Sequence, residues 1–196
     1  FEPTLVIWLA QSIELLDQAA DEFQKSWSQL GNRQVELYRF WGNKKVDFAE
    51  ARDGLVVAGL SKMAALEKRA VNEFLQLADR ASLIVIDEAH QAIAPTYRSV
   101  LTGLATKRPS TRLLGLTATP GRTWADLERD EELSSFFCGQ KVMLEVEGHP
   151  DPVTYLMDEG YLARPAFHNL NINAGLDLSE EDFADLSAAI DVPGKM

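Results

Sequence analysis

The stretch Ser82-Leu83-Ile84-Val85-Ile86-Asp87-Glu88-Ala89-His90 narrows the possible folds more than any other part of the chain. Four consecutive apolar residues, three of them β-branched, run straight into two carboxylates. A continuous apolar run of this length suits a strand buried on both faces, as in a parallel sheet. Asp87 and Glu88 then fall just past its carboxyl end, the edge where open α/β sheets bind ligands. An adjacent acidic pair at such an edge divides the labour of nucleotide hydrolysis. One carboxylate holds Mg²⁺, which keeps part of its water shell. The other orients or deprotonates the attacking water. The plainer alternative is an acidic pair that ends a strand and caps the next turn.

A second motif accompanies the first. Gly115-Leu116-Thr117-Ala118-Thr119-Pro120-Gly121-Arg122 follows the apolar pair Leu113 and Leu114. Asp87-Glu88-Ala89-His90 resembles the Walker B box, or motif II, of superfamily-two helicases, and Thr117-Ala118-Thr119 is similar to their motif III. Ile86 to Gln91 followed by Ala94-Pro95-Thr96-Tyr97 resembles one subfamily: DNA translocases, repair helicases and restriction-enzyme motor subunits. The resemblance spans residues 5–165. It implies a three-layer α/β domain with a mainly parallel sheet, the RecA-like first motor domain of a P-loop NTPase. ATP and Mg²⁺ are the implied cofactors, with Asp87 on the metal and Glu88 on the water. The implied role of His90 is to hydrogen-bond Thr117 or Thr119 across the crevice, relaying nucleotide state to nucleic-acid grip. The implied partners are a nucleic acid, with DNA favoured by the resemblance alone, and a second motor domain in the same parent protein.

Composition sets outer bounds. The 196 residues suffice for one sizeable core and are too few for two domains of ordinary size. The single cysteine, Cys138, excludes an internal disulfide framework and fits a reducing, cytoplasmic setting. No apolar run reaches membrane-spanning length. The net charge of −11 excludes a surface coated in phosphate-binding groups, though not a narrow basic track.

Residues 4–10 read as a buried strand, followed by a helix to about Leu30 with Ser12 as N-cap and Glu14 in its acidic first turn. A strand, a polar turn and a helix can present N–H groups to a phosphate. The turn resembles motif Ia, which makes Gln11 and Ser12 candidate nucleic-acid contacts; simple helix capping is the alternative. Residues 34–40 alternate like a strand, Trp41-Gly42-Asn43 is a turn, and residues 54–59 form a short buried strand. Ser61 then caps a helix with Met63, Leu66, Ala70, Phe74, Leu75 and Leu77 as its apolar positions. This is where motif Ib should lie, and Ser61 is a further nucleic-acid candidate, although Gly59 stands at the family's usual threonine.

Gly54-Leu55-Val56-Val57-Ala58-Gly59-Leu60-Ser61 has the glycine spacing of a phosphate loop, but Leu60 replaces the essential lysine and the intervening residues are strand formers. In the family the phosphate loop precedes motif Ia, so it is expected before Phe1. The chain then reads as an N-terminally truncated motor domain over residues 1–172, inactive alone. Residues 173–196 form an acidic linker or tail toward the second motor domain.

No acidic residue occurs from 89 to 125, while Arg98, Lys107, Arg108, Arg112 and Arg122 do. A helix over residues 95–104 returns the chain to the amino edge of the sheet. Lys107, Arg108 and Arg112 are thereby expected away from the ligand crevice. Residues 124–133 are charged and helical or loop, 141–146 alternate like a strand, and 152–157 form a short helix. His149 and His168 lack partners at metal-ligand spacing. Pro150-Asp151 with Glu159 lacks the lysine of a nuclease box. Three functions remain open: an ATP-dependent helicase or translocase, the motor subunit of a restriction system, and a non-catalytic nucleic-acid or protein-binding module.

Overall fold

The computed structural model describes residues 4–118 and 127–166. Thr119, Arg122 and His168, with the expected linker and acidic stretch beyond residue 166, lie outside the described residues. The chain divides into two compact units, Phe1–Val142 and Met143–Met196.

The first unit alternates strands and helices. Its strands are β1 (Leu5–Ala10), β2 (Glu36–Phe40), β3 (Gly54–Gly59), β4 (Ala81–Asp87) and β5 (Arg112–Leu116). Helix α1 (Ile13–Leu30) follows β1. Helices α2 (Leu60–Arg69) and α3 (Val71–Arg80) join β3 to β4, α4 (Pro95–Thr106) joins β4 to β5, and α5 (Leu127–Phe136) comes last. Every strand pair is parallel, in the order β2-β3-β1-β4-β5. The apolar run ending in Asp87 is therefore an interior strand, with Ile84 and Ile86 fully buried. Each such side chain contributes about 1.5–3 kcal/mol by leaving water.

Alternation along the strands divides the core in two. Leu5, Ile7 and Leu9 of β1 pack with Val56, Ile84 and Ile86 in the cluster that also holds Met63, Phe74, Leu77, Val100 and Leu104 from α2, α3 and α4. Ala10, Leu55 and Val57 pack with Leu16 and Ala20 of α1 and with Trp41. Helices thus cover both faces, giving three layers. Coverage on the α1 side is incomplete. A groove of about 690 Å³ runs past Val6, Trp8, Phe23, Trp27, Leu83 and Val85, and Leu114 of β5 is 46% exposed.

Two expectations need correction. The helix expected after Ser61 is two helices, broken at Ala70 (φ −139°, ψ 57°). A straight helix over residues 60–80 would run roughly 30 Å, whereas strands of this length span only about 20–23 Å. The break folds the segment back over the sheet and leaves Leu75 exposed. Residues 141–146 are not a strand. Among the described residues their alternation finds no neighbouring strand to pair with; the ladder is reduced to one bridge between Val146 and His149, and Val142 is 98% exposed.

The second unit contains α6 (Pro152–Asp158). Asp151 caps it by accepting from the N–H groups of Val153 (3.0 Å) and Thr154 (3.3 Å). These bonds hold its carboxyl below the usual range, with the Thr154 hydroxyl first among the causes. Helix capping accounts for Asp151. Among the described residues of this unit none is buried.

Candidate functional site

All five strands point the same way, so the turns that follow them share one edge of the sheet. Asp87, the last residue of β4, stands opposite Leu116 of β5. Its carboxylate accepts the Glu88 main-chain N–H at 3.0 Å. Glu88 adopts a left-handed backbone (φ 55°, ψ 57°), shared among described non-glycine residues only by Cys138. That conformation costs a non-glycine residue roughly 1–2 kcal/mol, and such strain collects at functional sites. Here it breaks the strand direction and sets Ala89–Gln91 into a 3-10 turn, closed by the Gln91 N–H on the Glu88 carbonyl at 2.9 Å.

This turn sits tightly on β5. A Cβ at Gly115 would lie 2.8 Å from Ala89 Cβ and 2.6 Å from Phe137 Cζ. The missing side chain at Gly115 therefore sets how closely the acidic turn approaches the sheet.

His90 Nδ1 lies 3.3 Å from Glu88 Oε2, with both side chains nearly half exposed. The sequence had suggested Thr117 or Thr119 as its partner. Thr117 directly follows Leu116, so it emerges from β5 beside the level of Asp87 and is partly buried. Thr119 lies outside the described residues. One group escapes sequence reasoning: the Gln91 side-chain carbonyl is buried without a hydrogen-bond partner. The only hint of it is a polar side chain set between Ala89 and the apolar pair Ala92 and Ile93.

Of the nucleic-acid candidates, Gln11 and Ser12 follow β1, one strand spacing or about 5 Å across the sheet from Asp87, and Ser61 follows β3, two spacings or about 10 Å away. Ala10 of β1 is in register with Gly59 of β3, so Gln11 and Ser12 leave the sheet beside Leu60 and Ser61. Ser12 is the N-cap of α1, its Oγ accepting from the Leu15 N–H at 3.3 Å. The Glu14 carboxyl is held below its usual range, first by its own main-chain N–H and then by Ser12. The first turn of α1 thus already carries an anion. Ser61 is not a cap; Gly59 holds that position and makes no side-chain capping bond. The Ser61 hydroxyl instead meets the Tyr97 hydroxyl at 3.5 Å, linking α2 to α4.

The glycine-spaced segment 54–61 is no phosphate cradle. Gly54–Gly59 is wholly buried and paired on both sides, to β1 and β2. Lys107, Arg108 and Arg112 lie at the amino edge, because α4 has by then returned the chain to the start of β5, beside Leu83. Among the described residues, no group of three or more His, Cys, Asp or Glu is placed to hold a metal. Two neighbouring carboxylates do fit Mg²⁺, which takes one or two protein carboxylates and completes its shell with water and substrate phosphates.

A five-stranded parallel sheet covered by helices on both faces, with an acidic pair at the carboxyl end of an interior strand, has the architecture of the RecA-like fold class. The family described as Type III restriction enzyme, res subunit, matches residues 2–122. The chain belongs to that family, a superfamily-two helicase-type domain. Among solved structures it is similar to the Hef helicase domain of Pyrococcus furiosus, at 24% identity and a TM-score of 0.60, over 79% of this chain and 31% of that one. It is also similar to the DUF1998 helicase MrfA bound to DNA, at 16% identity and a TM-score of 0.50, over 72% of this chain and 20% of that one. The chain therefore spans less than a third of the length of either helicase. No curated protein matches it.

Proposed function

We propose that this chain is part of an ATP-dependent helicase or translocase that moves along DNA, and that Asp87 and Glu88 are its hydrolytic acids. The observation that carries this reading is the strained acidic turn at the end of β4, in a chain of the restriction-enzyme res family. Asp87 would hold Mg²⁺, which would supply charge neutralisation for phosphoryl transfer there. Glu88 orients the attacking water and accepts its proton. His90, 3.3 Å from Glu88, is placed to sense the state of that carboxylate. Together with Thr117 and Thr119, it passes nucleotide state toward Ser12, Gln11 and Ser61, which hold the nucleic-acid backbone. In such a motor a phosphate loop and a second motor domain complete the ATP site. No described helix is long and apolar enough to cross a membrane.

ATP turnover by the complete motor, with and without single- and double-stranded DNA and RNA, tests this reading. DNA should stimulate turnover, and Glu88→Gln should reduce it by 10²-fold or more, about the contribution of a positioned base. A Glu88→Gln protein as fast as wild type would overturn the assignment. A complete motor that hydrolyses nothing would leave a binding module as the better account.

The family match supports a second, narrower reading, the motor subunit of a restriction system. DNA cleavage that depends on ATP and on a nuclease segment elsewhere in the complete protein would establish it.

A further inference from the structure

The loop after β2 carries the sequence Trp41-Gly42-Asn43-Lys44-Lys45 and leaves the same edge of the sheet as Gln11, Ser12 and Ser61. Three ammonium groups converge there in a chain whose net charge is −11. Lys62, in the first turn of α2, donates to the carbonyls of Gly42 (2.9 Å) and Lys44, pinning the loop from both ends. Its ammonium also lies 4.6 Å from the Phe40 ring centroid. Lys44 rests 3.8 Å over the Trp41 ring, and its acidic neighbour is Asp17 at 3.6 Å, with both side chains about half exposed. Lys45 is exposed. Asp47, the next acid along, is turned to the Ala49 N–H at 2.9 Å and caps the turn Phe48–Glu50.

The pKa of Lys62 is lowered by burial first, then by Lys45 and Lys44. Gathering like charges this way is unfavourable until an anion joins them. The first turn of α1, by contrast, already holds the Glu14 carboxylate. Lys44 and Lys45 are the exposed ammonium groups of the β2 loop at this edge.

We infer that the Trp41–Lys45 loop is a contact for the phosphate backbone of a nucleic-acid strand, with Lys44 and Lys45 as the phosphate-binding groups. The inference rests on the motor reading above and extends its nucleic-acid track outward by one strand, from Ser61 after β3 to the loop after β2, about 5 Å. Lys62 keeps the loop rigid, so little order is lost when a phosphate binds.

Binding of this 196-residue chain to a labelled single-stranded DNA, followed by fluorescence anisotropy across a salt series, tests it. Each lysine neutralising a phosphate on a single strand contributes about 0.7 to the slope of log K against log salt. The Lys44→Gln/Lys45→Gln protein should bind more weakly, with the slope reduced by about 1.4. Arginine at both positions should restore the slope. Lys107→Gln/Arg108→Gln, at the opposite edge, should bind like wild type. Unchanged far-ultraviolet circular dichroism and melting confirm that each variant is folded. The inference fails if the double glutamine variant keeps the wild-type slope, if the opposite-edge variant loses as much, or if the chain binds no DNA at low salt. Any of these alongside DNA-stimulated turnover in the complete motor removes the loop assignment and leaves the motor. Turnover indifferent to nucleic acid removes the motor itself.

Discussion

Glu88 shows how one residue can carry both a cost and a function. Its left-handed backbone is one that glycine adopts freely. Glu88→Gly should remove about 1–2 kcal/mol of strain and return roughly 0.5–1 kcal/mol in lost rigidity. The net gain, between about 0 and 1.5 kcal/mol, should raise Tm by at most about 3–6 °C, while the complete motor loses turnover. A Glu88→Gly protein with a markedly lower Tm would show that the carboxylate serves the fold. Asp53 is the converse case, a charge with a structural duty. It accepts from Arg33 Nε and Nη2, each at 3.0 Å, and from the Thr4 N–H at 2.9 Å. The Arg33 bond, followed by that of Thr4, holds its carboxyl below the usual 3.8. A depressed carboxyl contributes stability that is present above its unfolded pKa and lost as pH falls through the folded one. Asp53→Asn should therefore cost about 1 kcal/mol at pH 7, discounted for partial exposure. The difference from wild type should close only below about pH 3.8. Urea titrations at both pH values measure it; a cost independent of pH would mean that charge is irrelevant there.

The strand-to-turn junction at β4 depends on its neighbour β5. Gly115 leaves room for Ala89 and Phe137, and no other residue type does so without movement. Gly115→Ala should overpack this contact and destabilise the fold by about 1–3 kcal/mol. It should also displace the acidic turn, so that turnover falls in the complete motor even after stability is restored by lower temperature. Loss of stability with normal turnover would separate the packing from the site. In the helical layer, Phe74 of α3 is 2% exposed and lies under Gly103 of α4, where a Cβ would meet its ring at 2.9 Å. Phe74→Ala should cost about 3–5 kcal/mol in chemical denaturation. That is a large part of the 5–15 kcal/mol typical of a domain.

Among the described residues, both core clusters draw on residues up to Phe137, within the first unit. The described part of the second unit buries no residue. A chain ending at Val142 should therefore keep its cooperative melting transition, with Tm within a few degrees of the intact chain. Loss of that transition would show that the first unit depends on residues 143–196 for its stability.

Much of this molecule is legible locally. The run 83–86 before Asp87, the Ser12 cap, and the helix starting at Pro95 each follow from neighbours in sequence, because burial pattern, capping and proline geometry act over a few residues. Parallel pairing follows from the uninterrupted apolar strands, which need cover on both faces. The rest depends on partners distant in the chain. Strand order puts the β2 loop, Ser61 and Gln11 on one edge. The length of the sheet breaks the helix expected after Ser61 at Ala70. With no neighbouring strand among the described residues, 141–146 stay irregular despite their alternation. His90 meets Glu88 only because a left-handed residue folds the turn back on itself. The convergence of Lys44, Lys45 and Lys62 likewise comes from β2 and β3 lying side by side. A sequence states which groups are charged or apolar, but only the packed chain brings distant ones within Coulomb range.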